Sequence, residues 1–224
     1  MTEIRDEEIT SPLDGFRFTA ARAKPQGERK GGVVVIQEIF GVSPHIREIC
    51  GFYADHGYEA IAPSLYDRIE KNFHVTELNE AGFAKGIKGA TTTPPDQVVA
   101  DLQASIDALG AGPIYVTGFC YGGAMSWLAA ARCTGLKAAS GFYGGMIPNL
   151  LDLAPKIPII LHFGKEDAHI PMAAVDKIRT AAPDVPVYLY DAGHGFCRRN
   201  STDFHEASCD LALQRTLDFF AANR

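Results

Sequence analysis

The sequence predicts an α/β fold, a mostly parallel sheet with helices on both faces. Three observations carry that prediction. Short apolar runs such as Gly32–Gln37 and Ile114–Thr117 lack period-two alternation, as strands buried on both faces do. Helical stretches follow most of these runs, and strand–helix alternation demands parallel pairing through right-handed crossovers. Polar residues able to do chemistry stand just beyond several of the runs, where ligands bind in such sheets.

Taken in order, Glu3 to Ile9 and Phe16 to Ala21 are expected to pair antiparallel across the turn Pro12-Leu13-Asp14-Gly15. Gly32–Gln37 is the first buried strand. Ser43-Pro44 reads as an N-cap with proline at the first helical position, opening a helix to about His56. Gly57–Ala62 is a short strand ended by Pro63. Ser64 to Thr93 is a long polar stretch with a weak helical pattern, placed where a cap or a substrate-contacting insertion would sit. Asp96 to Leu109 is an amphipathic helix with Val98, Val99, Leu102, Ile106 and Leu109 on one side. After Ile114–Thr117, an alanine-rich helix over Gly123–Arg132 is suited to close packing on the sheet. Leu136–Tyr143, Pro158–Gly164 and Val187–Tyr190 are strands, Met172–Ala181 and His205–Ala222 helices.

The 224 residues fit one domain, 1–224, with no linker, repeat or low-complexity segment. A formal charge of −6 and the lack of a Lys/Arg block argue against non-specific nucleic-acid binding. No apolar stretch is long enough for a bilayer, and the acidic opening Met1–Glu8 has no signal-peptide core. Five cysteines without a Cys-x-x-Cys pair argue against a disulfide framework and for a reducing compartment, so the expected location is the cytoplasm. Cys50, Cys133, Cys197 and Cys209 read as packing residues.

The most informative segment is Gly118-Phe119-Cys120-Tyr121-Gly122, between a buried strand and a small-residue helix. It is the glycine-x-nucleophile-x-glycine turn of an α/β-hydrolase, with cysteine as nucleophile. So tight a turn strains the nucleophile's backbone and demands small neighbours. It also sets the thiol at a helix N-terminus, whose free N–H groups favour a thiolate and then an oxyanion. Asp167 follows the strand ending at Gly164, and His194 follows the last strand. Nucleophile, acid, base is the chain order of α/β-hydrolases, and the types fit: a thiol to attack, an imidazole to carry the proton, a carboxylate to fix the imidazole tautomer. Glu166 is the competing acid. Glu38, ending the first buried strand, is a carboxylate whose burial is costly unless it has a function. The backbone N–H groups of Ile39 and Tyr121 are placed to serve as the oxyanion donors.

Gln37-Glu38-Ile39-Phe40-Gly41-Val42, Gly118-Phe119-Cys120-Tyr121-Gly122-Gly123-Ala124, Gly164-Lys165-Glu166-Asp167 and Ala192-Gly193-His194-Gly195-Phe196 together resemble the dienelactone hydrolases (carboxymethylenebutenolidases), from about Gly31 to the last helix. The resemblance implies a Cys120-His194-Asp167 triad that cleaves a lactone or ester through an acyl-thioenzyme. It also implies a Glu38 that engages the cysteine and helps to deprotonate it when substrate arrives. Arg198 matches a family arginine that contacts the substrate carboxylate, and Arg199 next to it is an alternative. The chain departs from the family in two places. Ile69–Thr93 has no arginine or tyrosine, only Lys71, Lys85 and Lys88, and Gly195 replaces a serine. The chemistry is expected to be intact and the substrate pocket altered.

No metal and no cofactor are expected. His45 and Glu48 share a helix face but supply too few ligands, so that face reads as solvated, and no dinucleotide or phosphate loop follows a strand. The partner is a small lactone or ester, with neither nucleic acid nor membrane, and the oligomeric state is left open. Two other readings use the same residues: a thiol-based redox sensor at Cys120, or a non-catalytic ligand-binding protein on the same fold.

Overall fold

The computed structural model describes residues 2–224. Eight strands form one sheet: β1 (Ile4–Thr10), β2 (Arg17–Ala23), β3 (Gly31–Ile36), β4 (Tyr58–Pro63), β5 (Ile114–Phe119), β6 (Leu136–Phe142), β7 (Ile159–Gly164) and β8 (Val187–Tyr190). Their spatial order is β1-β2-β4-β3-β5-β6-β7-β8. The β1–β2 and β2–β4 pairs are antiparallel, and the other five are parallel. From β3 the chain passes through α1 (Pro44–Asp55) to β4 on one side, then returns through α2 (Glu80–Thr92) and α3 (Pro95–Ala108) to β5 on the other. The order therefore reverses at β3 and β5, and such a switch point opens a crevice beyond the strand ends. Glu38 and Cys120 stand on its two lips.

Alternation along β5 shows how the faces are covered. The ring of Tyr115 stacks on Phe220 of α6 (Glu206–Ala222) at 4.5 Å, and Tyr53 of α1 lies 6.3 Å from the same ring. Helices α1 and α6 thus share one face. On the opposite face α4 (Tyr121–Arg132) lies directly on the strands, with α3 packed beside it. A Cβ on Gly118 would overlap the Gly122 carbonyl, and one on Gly122 would overlap the Ile36 carbonyl. The small residues around Cys120 are therefore a packing requirement of the α4–β5–β3 contact. Val33 to Ile36, Trp127 and Phe142 are buried beside it and supply much of the apolar core. The helix over Met172–Ala181 (α5) connects β7 and β8.

Several expectations are corrected. Ser43 occupies the N-cap of α1 with Pro44 behind it, but its hydroxyl makes no capping bond. His45 is buried edge-on against Phe119, 5.4 Å between ring centres, so of the His45–Glu48 pair only Glu48 is solvated. The stretch after β4 contains a full helix, α2, capped by Asn79, whose side chain accepts the Gly82 N–H at 2.9 Å. Its fully buried residues are Gly86 and Gly89, so no large buried side chain marks the inward face with a helical period. Cys197 and Cys209 are joined in a disulfide rather than packed as thiols. The pairing arises because the chain folds back at the start of α6, where the His205 N–H donates to the Phe196 carbonyl at 3.0 Å. Among the described residues, no helix is long and apolar enough to cross a membrane.

Candidate active site

Cys120 sits between the end of β5 and the first residue of α4 with φ 55° and ψ −113°. A left-handed φ is costly for a residue with a side chain, and here the surrounding chain holds it. The Cys120 N–H donates to the Phe142 carbonyl at 3.0 Å, and its own carbonyl accepts the Ala124 N–H at 3.3 Å. The turn is thus pinned to the neighbouring strand on one side and to α4 on the other, with the half-buried thiol facing a cavity.

The loops after β7 and β8 bring up the other two expected residues. Nε2 of His194 lies 3.3 Å from Cys120 Sγ, and Nδ1 of His194 lies 2.7 Å from Asp167 Oδ2. The second carboxylate oxygen of Asp167 accepts the N–H groups of His169 and Ile170 at 2.8 and 3.0 Å. Asp167 is buried, whereas Glu166, the competing acid, is exposed. Burial opposes charge on His194, but the hydrogen bonds to Asp167 and Cys120, and their charges, outweigh it and raise its pKa to about 10.

Glu38 is 1% exposed and lines the same cavity. Its ionic partner is Arg198, with Nη1 3.6 Å from Oε2, while the hydrogen bond to the thiol belongs to His194. Arg198 is the arginine that faces the cavity, with its guanidinium over the Phe40 ring at 4.9 Å. Arg199 is exposed and lies over Phe204 instead. Ile39 and Tyr121 line the cavity too, and their N–H groups have no hydrogen-bond partner among the described residues. Free donors of this kind suit a developing oxyanion.

Some contributors carry no sequence signal as site residues. Tyr143, fully buried at the end of β6, has a φ of 39° and a ring 5.1 Å from that of His194. Burial, then the charges of Glu38 and Cys120, push its hydroxyl pKa well above the ordinary range. An aromatic residue ending a buried strand reads as core, and only its position in Gly141-Phe142-Tyr143-Gly144-Gly145 hints otherwise. His169 stands edge-to-face with His194 at 5.2 Å on the cavity rim. Phe83 and Ile87 reach the cavity from α2, in the stretch expected to supply substrate contacts. The cavity measures about 480 Å³, room for a small organic substrate. A second hollow of about 300 Å³, between Arg47 and His74, has no cysteine on its walls, and its Ser64 hydroxyl donates to Asp67. Among the described residues no cluster of His, Cys, Asp and Glu is arranged to hold a metal ion.

Residues 18–223 match the model of the dienelactone hydrolase family. A candidate carboxymethylenebutenolidase of Salmonella typhimurium is 36% identical over 239 residues, which span 95% of this chain and 86% of that protein. The carboxymethylenebutenolidase of Pseudomonas putida is 31% identical over 219 residues, 93% of this chain and 92% of that one. The crystal structure of a candidate dienelactone hydrolase from Klebsiella pneumoniae superposes with a TM-score of 0.83 at 31% identity, covering 98% of this chain and 99% of that one. The mostly parallel sheet with helices on both faces is the α/β-hydrolase fold.

Proposed function

The chain belongs to the dienelactone hydrolase family, and we propose that it hydrolyses small lactones or activated esters through an acyl-thioenzyme on Cys120. The observation that carries this reading is the continuous line from Cys120 Sγ to His194 Nε2, 3.3 Å, and from His194 Nδ1 to Asp167 Oδ2, 2.7 Å. Cys120 sulfur attacks the carbonyl carbon, and its proton resides on His194 Nε2. The carbonyl oxygen takes the negative charge and accepts the N–H groups of Tyr121 and Ile39. As the intermediate collapses, the carbon–oxygen bond of the ester breaks and His194 returns the proton to the leaving alkoxide. Water, deprotonated by His194, then attacks the thioester carbonyl, and the sulfur leaves with the acid as product. Asp167 keeps His194 in the tautomer that both half-reactions need.

Glu38 acts at the same site by its charge. As a buried carboxylate on the wall of the same cavity it opposes a permanent thiolate, while its pairing with Arg198 reduces that opposition. Against the redox-sensor reading stands the lack of a resolving thiol for Cys120, since Cys50 and Cys133 are buried and Cys197 is bonded to Cys209.

The test is chemical trapping. Protein mixed with 4-nitrophenyl acetate and quenched in acid should carry one acetyl group on the peptide containing Cys120, and Cys120→Ala should lose both the adduct and nearly all turnover. Turnover that survives in Cys120→Ala, or acetyl found only elsewhere, overturns the mechanism.

A further inference from the structure

From the residues around His194 we infer that the cavity holds a separate polar subsite for the alcohol part of the substrate, built by His169, Thr202 and Asp203. The enzyme is thereby fitted to esters or lactones whose alcohol portion carries a further hydroxyl group. The inference rests on the hydrolase reading above and adds the class of leaving alcohol.

The first ground is where the alcohol must lie. Attack by Cys120 turns the carbonyl oxygen toward the N–H groups of Ile39 and Tyr121. The leaving oxygen then lies toward His194 Nε2, which returns its proton. What borders His194 therefore borders the alcohol, and what borders Ile39 lies away from it. The two sides of the cavity differ in kind. From Ile39 the wall continues as Phe40, Phe83 and Ile87, all apolar, with the two phenyl rings edge-to-face at 5.3 Å. Beside His194 it consists of His169, Thr202 and Asp203, all polar and all exposed.

The second ground is that these groups are held in place and yet uncommitted. The His169 N–H donates to Asp167 Oδ1 at 2.8 Å, so the carboxylate that orients His194 also fixes the backbone of His169. The two imidazoles stand edge-to-face, 5.2 Å between centres. Asp203 comes from the loop before α6. A Cβ on Gly193 would lie 2.8 Å from the Asp203 carboxyl carbon, so the glycine next to His194 makes room for that carboxylate. The Asp203 N–H donates to the Ser201 hydroxyl at 3.1 Å, and the Ser201 N–H to the Arg198 carbonyl at 2.9 Å. Both bonds tie the loop back to the segment that follows His194. Among the described residues, the His169 ring nitrogens, the Thr202 hydroxyl and the Asp203 carboxylate have no hydrogen-bond partner. Together they offer an imidazole and a hydroxyl that can each donate and accept, and a carboxylate that accepts. A substrate hydroxyl satisfies such a set, whereas a bare alkyl chain only strips water from it.

The experiment compares two esters of one acid, 2,3-dihydroxypropyl butyrate and propyl butyrate, followed by release of butyrate. Both form the same butyryl-enzyme, so a difference in kcat/KM belongs to binding and departure of the alcohol. Relative to hydroxide hydrolysis of the same pair, kcat/KM is expected to favour the dihydroxypropyl ester about tenfold, as one or two hydrogen bonds would. In His169→Ala and in Asp203→Ala the ratio should fall below about threefold, mainly through KM for the dihydroxypropyl ester. Taking the ratio cancels any effect of truncation on His194 itself. Capture of the acyl-enzyme reads the same subsite in reverse. A glycerol hydroxyl gives its proton to His194 and bonds to the thioester carbon, the carbon–sulfur bond breaks, and the sulfur takes the proton. With 4-nitrophenyl butyrate as donor, glycerol should therefore divert more acyl groups into ester than 1-propanol at equal concentration. Calorimetry of both butyrate esters with Cys120→Ala protein reads the preference without chemistry. Tighter binding of the dihydroxypropyl ester supports the subsite even if no ester is turned over, in which case the hydrolase reading alone falls. Equal binding, equal capture, a ratio near one, or a preference that survives both truncations overturns the subsite and leaves the hydrolase reading standing.

Discussion

Asp167 holds His194 with one carboxylate oxygen, at 2.7 Å from Nδ1, while its other oxygen accepts two backbone N–H groups, from His169 and Ile170. The division of labour fixes which oxygen faces the imidazole. In Asp167→Asn the amide oxygen would remain with the two N–H donors, so the NH2 group would face Nδ1. His194 must then accept at Nδ1 and carry its hydrogen on Nε2, pointing at the thiol it should deprotonate. The expected result is a fall in kcat of about a thousandfold to ten-thousandfold with KM little changed. Steady-state kinetics on an activated ester check it, with circular dichroism as the control for folding. A kcat within tenfold of wild type would remove Asp167 from the mechanism.

The protonation state of His194 should depend on the sulfur beside it. Burial works against the imidazolium, yet bonds to Asp167 and Cys120 raise the pKa to about 10 from an ordinary 6.5. Because the folded value is the higher one, the stabilisation is complete below pH 6.5 and is lost as pH rises through 10. Cys120→Ala removes the hydrogen-bond partner of His194 Nε2, so the His194 pKa should fall when followed by NMR of the imidazole. The same variant should lose less stability than wild type between neutral and alkaline pH. An unchanged titration would mean that the sulfur does not act on the ring.

The parts of this site legible in the sequence were those that local chain geometry dictates. A tight glycine-flanked turn, and polar residues just past buried strands, have few structural solutions, so Cys120, Asp167 and His194 could be placed at one sheet edge without coordinates. The parts that stayed hidden depend on contacts between distant segments. The ionic partner of Glu38 comes from the loop after β8, and Cys197 meets Cys209 only because α6 folds back on that loop. Helix α2 was obscured for another reason. Its fully buried residues are glycines, so the helix comes down by close backbone approach and no large buried side chain marks it. Tyr143 shows the opposite masking, where a residue touching the site has the hydrophobic character of core.

The Glu38–Arg198 pair should behave as a unit. Arg198→Ala leaves a carboxylate that is 1% exposed with no counter-charge. A stability loss of about 1–3 kcal/mol is expected, the range for leaving a buried polar group unsatisfied. Glu38→Gln in the same background should recover part of it, because the buried charge is gone. Denaturant unfolding of both single variants and the double variant measures the coupling. For catalysis, Glu38→Gln should slow the acylation burst with a chromogenic ester, and an unchanged burst would leave Glu38 a structural role only.

His162 makes the fold sensitive to acid from a place away from the cavity. It is fully buried on β7, with Nδ1 2.8 Å from the Tyr190 hydroxyl and Nε2 3.2 Å from Thr216 Oγ1. Burial, then the nearby Arg215, lowers its pKa from 6.5 to about 3. The unfolded chain therefore takes up a proton near pH 6.5 that the folded chain refuses until about pH 3. Stability is unaffected above pH 6.5 and falls as pH drops below it, by about 1.4 kcal/mol per pH unit at the full one-proton slope. Carboxylates contribute to acid unfolding as well, so the informative quantity is the difference between wild type and His162→Gln. The variant should show the shallower loss between pH 6 and pH 4. Parallel curves would mean that His162 is protonated without cost.

The Cys197–Cys209 disulfide lies beside the catalytic loop, since Cys197 directly precedes Arg198 and follows His194 by three residues. It closes a short loop, the two cysteines being 12 positions apart in the chain. Chain-entropy arguments assign a cross-link of that length about 3 kcal/mol, by restricting the unfolded chain. Protein purified without reductant, then unfolded and alkylated, should take up label at three of its five cysteines, Cys50, Cys120 and Cys133. After reduction all five should react. Dithiothreitol should lower the melting temperature of wild type but have no effect on Cys209→Ser, which cannot form the bond. Because the tethered segment also carries Arg198, reduction should raise KM more than it lowers kcat if the loop loosens while His194 stays held by Asp167. Labelling of all five thiols without reductant would show instead that Cys197 and Cys209 lie side by side as thiols, and the active-site loop would then depend on packing alone.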